Sequence, residues 1–486
     1  MKTKKQRARS LAQPLKRPRH VQRAHDIYAN AAFFDPRTKR RVIRTAIEKM
    51  ARPARSLSRS CRTTARAKAA YRLVGNYKLR PDQKRKQRVT QEQLYNPIFQ
   101  HAAQSCRHEP RIYAVQDSSC LMFPTLHKTT GLGTADRKKE EALWMHSALA
   151  VRPDGYILGL CHAHFWARPL EEFGKSADRK KRPFEEKESY LWVHTADAVQ
   201  ALLHDHGIEA EIIHIADRAG DVHEVLQHYV DTAKRFIIRF AHDRKIEEEE
   251  GYVRAQLAQQ PVLDARTITI PRTHNHPQRE ATVQVRSCRV TLHPPRTCPN
   301  PGTKKPFAVN VVWVCEPDPP QGVERIDWVL YTSEAVDTSH ECWERVQAYK
   351  LRWRIEDYHR ALKSDCYAEK TQLKDADAIV RLLAFLAVAA IRVLQLRDLA
   401  RTNPTQPCTL VLEDHEWQAL WLLFYEEPPE PGRPPPTIQE AVKMIGHLGG
   451  HLGRKGDGMP GAESLSLGLK ELEIAATVYR LLDGER

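Results

Sequence analysis

The stretch IYAVQD at residues 112–117, an apolar run that ends in an acid, opens the part of the chain that decides the fold. β-Rich runs follow at residues 143–151 and 156–165, and the turn residues Pro-Asp-Gly at 153–155 separate them. Two strand patterns joined by such a turn predict a β-hairpin. We therefore predict three neighbouring strands, the first of which ends at Asp117.

Helical and strand patterns alternate after this hairpin. The predicted elements are a helix at 185–206 closed by Gly207, a strand at 210–216, a helix at 222–230 and a strand at 236–240. The element order is thus βββαβαβ. Three antiparallel strands followed by alternating helices and strands are typical of a ribonuclease-H-like mixed sheet, so we predict an α/β fold of this type.

Composition changes on both sides of this region, and the changes divide the chain. Many prolines and short Val, Thr and Ile runs after the last of these strands predict a β-rich insertion, while both ends of the chain show helical patterns. We predict a basic tail at 1–26, a helical domain at 27–88, the ribonuclease-H-like domain at 89–399 with its insertion at about 241–326, and a helical domain at 400–486 with a Pro-rich linker.

Length and composition point to a soluble protein of several domains. The chain has 486 residues, of which 41% are hydrophobic and 28% charged, whereas single domains usually have about 50–250 residues. No apolar run reaches the roughly 18–20 residues that a membrane span needs. The longest, at 382–391, lies between Arg381 and Arg392, so we predict a core helix and no membrane partner.

The charge balance favours an anionic partner. The formal net charge is +17, and nine lysines and arginines precede the first acid, Asp26. Residues 52–68 add five arginines and one lysine without an acid. A transit peptide is the competing interpretation of the N-terminal run, but the run has few serines and no apolar helical stripe. We therefore predict an arm and a helical domain that face nucleic acid, with a solvated basic surface as the alternative.

The cysteines favour a reducing compartment. Ten cysteines are scattered without a CxxC pair or a secretory apolar segment, so we predict reduced thiols and a cytoplasmic location. The run Cys161-His162-Ala163-His164 places two histidines on one face of a strand. Zinc usually needs four ligands, and no second Cys/His pair supplies the others. Histidines that face a polar groove are therefore the preferred interpretation.

The stretch YKLRWRIEDYHRALK at residues 349–363 carries the most chemistry. It lies in a region from about 339 to 399 that we predict to be helical with an interruption near Ser364. At about 100° per residue, a helix would place Tyr349, Arg352, Glu356 and Lys363 on one face and the apolar residues on another. Such a face is either a solvated set of ion pairs or a metal-binding carboxylate flanked by cations for phosphate.

Two more acids stand where such a site would need them. Asp117 and Asp217 are each predicted at or near the end of a strand of the sheet. Carboxylate oxygens suit Mg²⁺ or Mn²⁺, and two such ions can promote phosphodiester cleavage. Three acids beside a cationic helix face favour a nuclease-type site more than any one acid would.

The spacing Tyr-(x)2-Arg-(x)3-Glu-(x)6-Lys resembles the YREK signature of bacterial insertion-sequence transposases, in the transposon-five-like branch of the insertion-sequence-four family. Other segments resemble the same family in the same order from about residue 27 to the end. They are Asp35-Pro36-Arg37, Ala70-Tyr71-Arg72, Gln116-Asp117-Ser118-Ser119, Trp144-Met145-His146-Ser147, Glu186-Lys187-Glu188-Ser189, Asp217-Arg218-Ala219-Gly220-Asp221, Trp328 with Thr332-Ser333-Glu334, and His447-Leu448-Gly449-Gly450.

The resemblance implies a cut-and-paste DDE transposase that cleaves DNA through a hairpin intermediate and inserts the element by strand transfer. Asp117, Asp217 and Glu356 would bind two Mg²⁺ or Mn²⁺ ions. The helical domain at 27–88 would bind the DNA ends, the C-terminal one would form a homodimer, and the partners would be the terminal repeats and target DNA. The implied DNA-binding residues are Tyr349, Arg352, Lys363, Trp328, Trp353, Arg218, Arg239 and Arg37.

Within this set the tryptophans have specific implied roles. Trp328 would stack on a flipped base and Trp353 would wedge into the duplex, although core packing is the alternative for each. The competing function is a non-catalytic DNA-binding regulator derived from a transposase, which the loss of any one of the three acids would have favoured. A resolvase-like nuclease on the same fold would not need the array of Tyr349, Arg352 and Lys363.

Overall fold

Ten strands of the computed structural model form one continuous mixed sheet with helices at both ends of the chain. The structure describes residues 19–75, 89–136, 140–173, 182–249, 251–270, 277–295, 304–454 and 456–483. The strands are β1 (Arg111–Met122), β2 (Gly133–Thr134), β3 (Glu141–Val151), β4 (Ile157–Trp166), β5 (Glu211–Ala216), β6 (Arg235–Arg239), β7 (Asp264–Ile270), β8 (Arg279–Leu292), β9 (Phe307–Cys315) and β10 (Asp327–Thr332).

Helices precede, interrupt and follow the sheet. In chain order they are α1 (Arg19–Tyr28), α2 (Pro36–Ala51), α3 (Leu57–Ser60), α4 (Thr64–Gly75), α5 (Gln91–Ser105), α6 (Tyr190–Asp205), α7 (His223–Asp231), α8 (Val253–Gln259), α9 (Ser339–Lys350), α10 (Trp353–Arg360), α11 (Ala376–Thr402), α12 (Asp414–Tyr425), α13 (Ile438–Leu448) and α14 (Ala462–Asp483).

The strand order confirms the predicted ribonuclease-H-like sheet. β4, β3 and β1 are antiparallel neighbours, and β5 and β6 continue the sheet in parallel with β1. The five strands therefore lie in the spatial order β4-β3-β1-β5-β6, and helices α6 and α7 form the crossover connections. Apolar side chains on both faces of these strands are buried, as expected for a sheet covered on two sides.

The predicted β-rich insertion extends this sheet and does not form a separate one. β10 pairs antiparallel with β6 on one side and with β9 on the other, and β8 and β7 follow at the edge. The insertion also contains the short helix α8, which its prolines and β-branched runs had not indicated.

Three predicted elements differ from the structure. β1 continues to Met122, so Asp117 lies inside a strand and not at its end, because β3 pairs with β1 beyond the point where β5 ends. The helix predicted from residue 185 begins at Tyr190 after a 3₁₀ turn, since Glu188 is held by Trp166 and Arg168 instead.

The third difference concerns residues 349–363, which we predicted as one continuous helix. The helix tightens at Leu351 and Arg352, because their backbone N–H groups donate to carbonyl oxygens three residues earlier in the chain instead of four. Further on, the chain forms a π-helix at Ala361–Asp365. The π-helix coincides with the predicted interruption near Ser364. The sequence has no glycine or proline at Leu351 and Arg352, so local pattern does not indicate the tightening there. Tyr349 is only 2% exposed and does not share an open face with Glu356.

The apolar run at 382–391 lies in α11, as predicted, and forms the central core helix. Among the described residues α11 is the one helix long and apolar enough to cross a membrane, and 94% of its most apolar stretch is buried inside the protein. Its two flanking arginines donate to backbone carbonyls of the N-terminal helices, Arg381 to Val74 and Arg392 to Met50. α11 therefore joins the helical N-terminal region to the sheet.

The predicted basic tail ends earlier than residue 26. Helix α1 begins at Arg19, and its Ala24 and His20 are buried. Arg19 pairs with Glu413, and Arg23 donates to the side chain of Gln395. Residues 1–18 of the predicted tail, and the end of the helical domain predicted at 27–88, lie outside the described residues.

The C-terminal helices cross at two glycines. A Cβ on Gly449 would meet Ser464 O at 1.8 Å, and one on Gly468 would meet Ile445 O at 1.7 Å. No side chain fits at either position, so α13 and α14 approach each other by backbone contact. Gly449 of the segment His447-Leu448-Gly449-Gly450 thus has a packing role.

A buried acid in α12 provides a test of how α1 packs on the C-terminal helices. His20 lies 3.7 Å from both Glu416 and Glu473, and burial raises the pKa of Glu416 to about 7. Between pH 4.5, near the ordinary pKa of a glutamate, and about pH 7, Glu416 is therefore protonated in the folded chain and ionised in the unfolded chain. Ionisation costs folding free energy, so the contribution of this group to stability falls as pH rises through that window.

We expect the free energy of unfolding of Glu416→Gln, measured relative to that of the wild type, to increase by about 2–3 kcal/mol from pH 4.5 to pH 8. The amide can still accept from the Glu413 N–H, as the carboxylate does at 2.9 Å. Urea unfolding at both pH values measures the difference. Glu430→Gln, at an exposed position of the Pro-rich linker, is the matched control. An equal difference at both pH values would contradict the assignment.

Candidate active site

The register of two parallel strands places the first two acids side by side. Val115 of β1 is the partner of Ile215 of β5, and Asp117 and Asp217 each follow two residues later. Residues two apart on extended chain project from the same face. The sheet therefore brings both carboxylates to one side at the carboxyl edge of β5.

Asp217 is held by the turn that follows β5. Its carboxylate accepts from the Ala219 N–H at 2.9 Å and caps a short 3₁₀ turn. Gly220 in this turn has no room for a side chain, since a Cβ would lie 2.7 Å from Ala216 Cβ. Buried Asp221 then accepts from the backbone N–H groups of Ala241 and His242 and pairs with Arg244. The turn is thus tied to the segment after β6.

The third acid, Glu356, lies on α10, and Arg352 contacts both it and Asp117. Arg352 Nη1 lies 2.6 Å from Glu356 Oε1 and 3.8 Å from Asp117 Oδ2. The arginine and Asp117 side chains are 9% and 15% exposed, whereas Glu356 is 39% exposed. One guanidinium group therefore lies between two of the three predicted acids, and Glu356 stands at the open side.

The pKa of Asp117 reflects how closely these groups interact. Burial raises it most, the negative charge of Asp217 raises it further, and the net result is about 7. The Ser118 N–H, which donates to Asp117 Oδ1 at 2.7 Å, and the Arg352 guanidinium act in the opposite direction. Glu356 raises the pKa again. Both other acids thus act on Asp117, and the Arg352 charge does not offset burial and their combined effect on its pKa.

Lys363 reaches the same cluster from the π-helix. Burial lowers its pKa, while Glu369, Cys120 and Asp117 raise it. Glu369 also accepts from the Met122 N–H at 2.9 Å and so fastens this segment to β1. The structure therefore brings both Arg352 and Lys363 close to Asp117, although the helix between them is irregular.

A buried hydrogen-bond network beneath Asp117 was not predicted. Ser118 Oγ bonds His146 Nδ1 at 2.7 Å, and His146 Nε2 bonds Gln116 Oε1 at 3.1 Å. Gln116 in turn donates to Tyr229, which donates to Trp192 O. Burial keeps the pKa of His146 well below its usual range, so the neutral ring accepts from Ser118 and donates to Gln116. Polar residues inside apolar strands were the only signal in the sequence.

The donor set suits a hard cation, but the ligands are not arranged around a common point. Among the residues that the structure describes, no three His, Cys, Asp or Glu side chains are grouped closely enough to hold a metal ion. Repulsion among three carboxylates is the condition that a divalent cation relieves. For Mg²⁺ the chemistry therefore fits, provided that Glu356 exchanges its pairing with Arg352 for the ion.

The predicted base-stacking residue is half-buried beside the site. Trp328 lies on β10 with its ring centroid 5.7 Å from that of Tyr349, at 75°. The Arg239 guanidinium lies 5.5 Å from the Trp328 centroid. Burial raises the pKa of Tyr349, against the influence of Arg352 and Arg239. Trp328, Tyr349 and Arg239 therefore form one cluster next to the acids, and phosphate contact by the buried phenol stays a prediction.

The other predicted DNA contacts divide by location. Trp353 is 54% exposed and lies under the Arg352 guanidinium at 4.6 Å, so core packing does not explain it. Arg218 is exposed on the turn after Asp217 and acts electrostatically on Arg239. Arg37 is exposed at the start of α2, which packs on α1, α4 and α11 and not on the sheet edge that bears the acids.

The histidine pair of β4 also finds neighbours. The rings of His162 and His164 lie 5.4 and 6.4 Å from that of His194 on α6. Burial lowers the pKa of both strand histidines. Within the described part of the chain these rings belong to no group of three His, Cys, Asp or Glu side chains that could hold a metal ion.

Comparison with known families adds two matches at the ends of the chain. Residues 22–79 match the family model described as transposase DNA-binding. Residues 388–482 match the one described as transposase Tn5 dimerisation domain. With the ribonuclease-H-like sheet between them, these matches support a DNA-binding transposase. More particularly, they support a Tn5-like transposase that forms a homodimer.

Proposed function

We propose that the chain is a DDE transposase that excises an insertion-sequence element by metal-dependent strand cleavage and inserts it elsewhere. The observation that carries the proposal is the mutual approach of Asp117, Asp217 and Glu356, with Arg352 between two of them. Two transposase domains flank this cluster in the chain. By resemblance to the YREK transposases, cleavage would proceed by nicking, hairpin formation, hairpin opening and strand transfer.

The three acids would hold Mg²⁺ or Mn²⁺, two ions per site, and the bound ions supply activation of the attacking oxygen and stabilisation of the leaving one. Asp117 and Asp217 are fixed by the register of β1 and β5, so their positions do not depend on the DNA. Glu356 stands on the irregular helical segment and is more exposed. We infer that Arg352 moves from Glu356 to a DNA phosphate when the site is loaded.

The cations would position the DNA backbone at these acids. Arg352 and Lys363 are each within the electrostatic field of Asp117 and are mostly buried, so a phosphate placed there loses water and gains strong charge-assisted bonds. Arg218 and Arg239 extend the positive charge toward Trp328. Arg37, with the basic N-terminal helices, would bind the flanking duplex.

The homodimer has a suitable surface on α14. Ile474, Val478, Leu481 and Leu482 are each about half or more exposed, although they are large and apolar. Such residues on one helix are typical of a protein–protein contact. We also propose that the protein acts on DNA in the bacterial cytoplasm, as the scattered cysteines without a CxxC pair predict.

Wild-type activity tests the proposal directly. Duplexes that carry the two ends of the DNA element encoding this chain should be cut when Mg²⁺ or Mn²⁺ is added and should stay intact in a chelator. A gel that resolves nicked, hairpin and opened products measures each step. A control duplex with scrambled ends should not be cut. Binding to the ends without cleavage in any divalent metal would instead indicate the DNA-binding regulator.

Trp328→Ala separates base stacking from core packing. If the ring stacks on an extruded base, its loss should weaken DNA binding by about 1–3 kcal/mol and slow hairpin formation more than first-strand nicking. Only part of the ring is buried, so folding should change little. Thermal melting and single-turnover cleavage measure the two effects.

Trp313→Ala is the control, since Trp313 is also half-buried but lies on the neighbouring strand β9 and bonds Asp327. It should leave the ratio of hairpin formation to nicking unchanged. If Trp328→Ala lowers the melting temperature by several degrees and slows both steps equally, Trp328 is a core-packing residue. Truncation of a core tryptophan lowers the free energy of unfolding by about 3–5 kcal/mol.

A further inference from the structure

A cavity of about 230 Å³ lies between α1, α11 and the segment before α12, away from the carboxylate cluster. Its lining divides into a cationic and polar side and an apolar side. The polar side consists of Arg19, His20, Arg23, Tyr156, Arg392 and Gln395, and the apolar side is formed mostly by leucines. No described aspartate or glutamate lines it. Positive charge thus converges on a pocket without a carboxylate of its own.

Arg23 is the least compensated of these cations. Gln395 donates to the backbone oxygens of Ile157 and Leu158 at 2.7 and 3.3 Å, which turns its own oxygen toward Arg23 as an acceptor. Arg23 forms no ion pair with a carboxylate among the described residues, and its buried Nε has no hydrogen-bond partner there. Burial and the neighbouring Arg392 both lower its pKa.

The other two arginines are partly neutralised from outside the cavity. Arg392 donates to Met50 O and interacts with the charges of Glu416 and Glu473. Arg19 at the mouth is about half exposed and pairs with Glu413 at 3.2 Å. An unpaired buried guanidinium beside two others costs folding free energy unless an anion joins them.

We propose that this cavity binds a small phosphate-type oxyanion. Guanidinium groups bind phosphate oxygens with paired N–H donors, and the guanidinium-bearing residues Arg19, Arg23 and Arg392 all line the cavity. Tyr156, whose charge interaction with Arg23 shows that it is close, lines the same wall. The volume accommodates a phosphate group together with an apolar substituent against the leucines. Bound there, the anion would fasten α1 to α11.

Calorimetric titration of the full-length protein with inorganic phosphate, at constant ionic strength set with chloride, tests this. We expect saturable binding of one phosphate per chain, with an accompanying rise in melting temperature. Arg23→Gln should weaken binding at least about tenfold, since hydrogen bonds to charged groups are worth about 1.5–3 kcal/mol. Arg19 lies at the mouth of the cavity and is about half exposed, so Arg19→Gln should disturb folding less and should weaken phosphate binding by a smaller factor.

Arg107→Gln, an exposed arginine after α5, is the matched control and should bind phosphate like the wild type. The source of the phosphate is distinguished by a 5′-phosphorylated duplex. If Arg23→Gln weakens binding of this duplex as well as of free phosphate, the ligand is a DNA phosphate; if only free phosphate is affected, it is a small molecule. Non-saturable binding by the wild type, or equal loss in Arg107→Gln, would overturn the proposal.

Discussion

Asp117→Ala, Asp217→Ala and Glu356→Ala should each lower the rate of DNA-end cleavage by about 10³-fold or more, while binding of the ends stays close to that of the wild type. Losses of this size are common when one member of a catalytic group is removed. In our proposal the flanking duplex is bound elsewhere, by the N-terminal helices that match the transposase DNA-binding model. Single-turnover cleavage and gel-shift titration measure the two quantities.

Loss of folding would not explain such a result. Burial and Asp217 raise the pKa of Asp117, so its ionised carboxylate is an electrostatic cost to the metal-free fold. Removing it should leave the melting temperature unchanged or higher at neutral pH. Asp205→Ala, at the 74% exposed last residue of α6, is the control and should cleave normally. Substantial metal-dependent cleavage by Glu356→Ala would refute the assignment.

Arg354→Met should destabilise the protein by about 3–5 kcal/mol. Arg354 Nη2 lies within 2.6 Å of both carboxylate oxygens of Asp398, which is fully buried in α11. Burial raises the pKa of Asp398 and lowers that of Arg354, so desolvation outweighs their attraction. Removing the arginine alone leaves a buried carboxylate whose remaining partners, Arg397 and Arg401, are 3.8 and 3.5 Å away.

The Arg354–Asp398 pair holds α10 against α11, and Arg354 lies two residues before Glu356 in the chain. The double variant Arg354→Met with Asp398→Leu should therefore recover most of the lost stability, because it removes both buried charges. Urea unfolding measures both variants. Arg454→Met breaks an exposed pair with Asp457 and should have no measurable effect. A double variant no more stable than Arg354→Met would show that packing, and not the buried charge, is responsible.

Local pattern was sufficient for most of the sheet. The run at 112–117, the hairpin with its Pro-Asp-Gly turn and the alternation through residue 240 all correspond to observed strands and helices. Strand periodicity and turn chemistry act over a few residues, so they can be read without knowledge of the fold. The same patterns could not show that β1 continues past Asp117, because that depends on pairing with β3.

The geometry around the acids required the tertiary structure. Helical spacing grouped Tyr349, Arg352, Glu356 and Lys363 on one face, but the helix tightens at Arg352 and widens after Ala361. Tyr349 consequently packs under Trp328, while Lys363 still comes close to Asp117. The network from Ser118 to Tyr229 joins residues more than 100 positions apart, which no local pattern connects.

By itself the sequence determined the fold class and the basic character of the N-terminal region, because each depends on residue type and short-range spacing. It also predicted the three acids of the candidate site. Only the tertiary structure decided how those acids meet. The register that sets Asp117 beside Asp217 is fixed by the side chains that β1 and β5 bury together, and Arg352 lies where α10 packs against β1. The uncompensated Arg23 likewise appears only when α1 is laid on α11, since a buried charge is defined by what surrounds it.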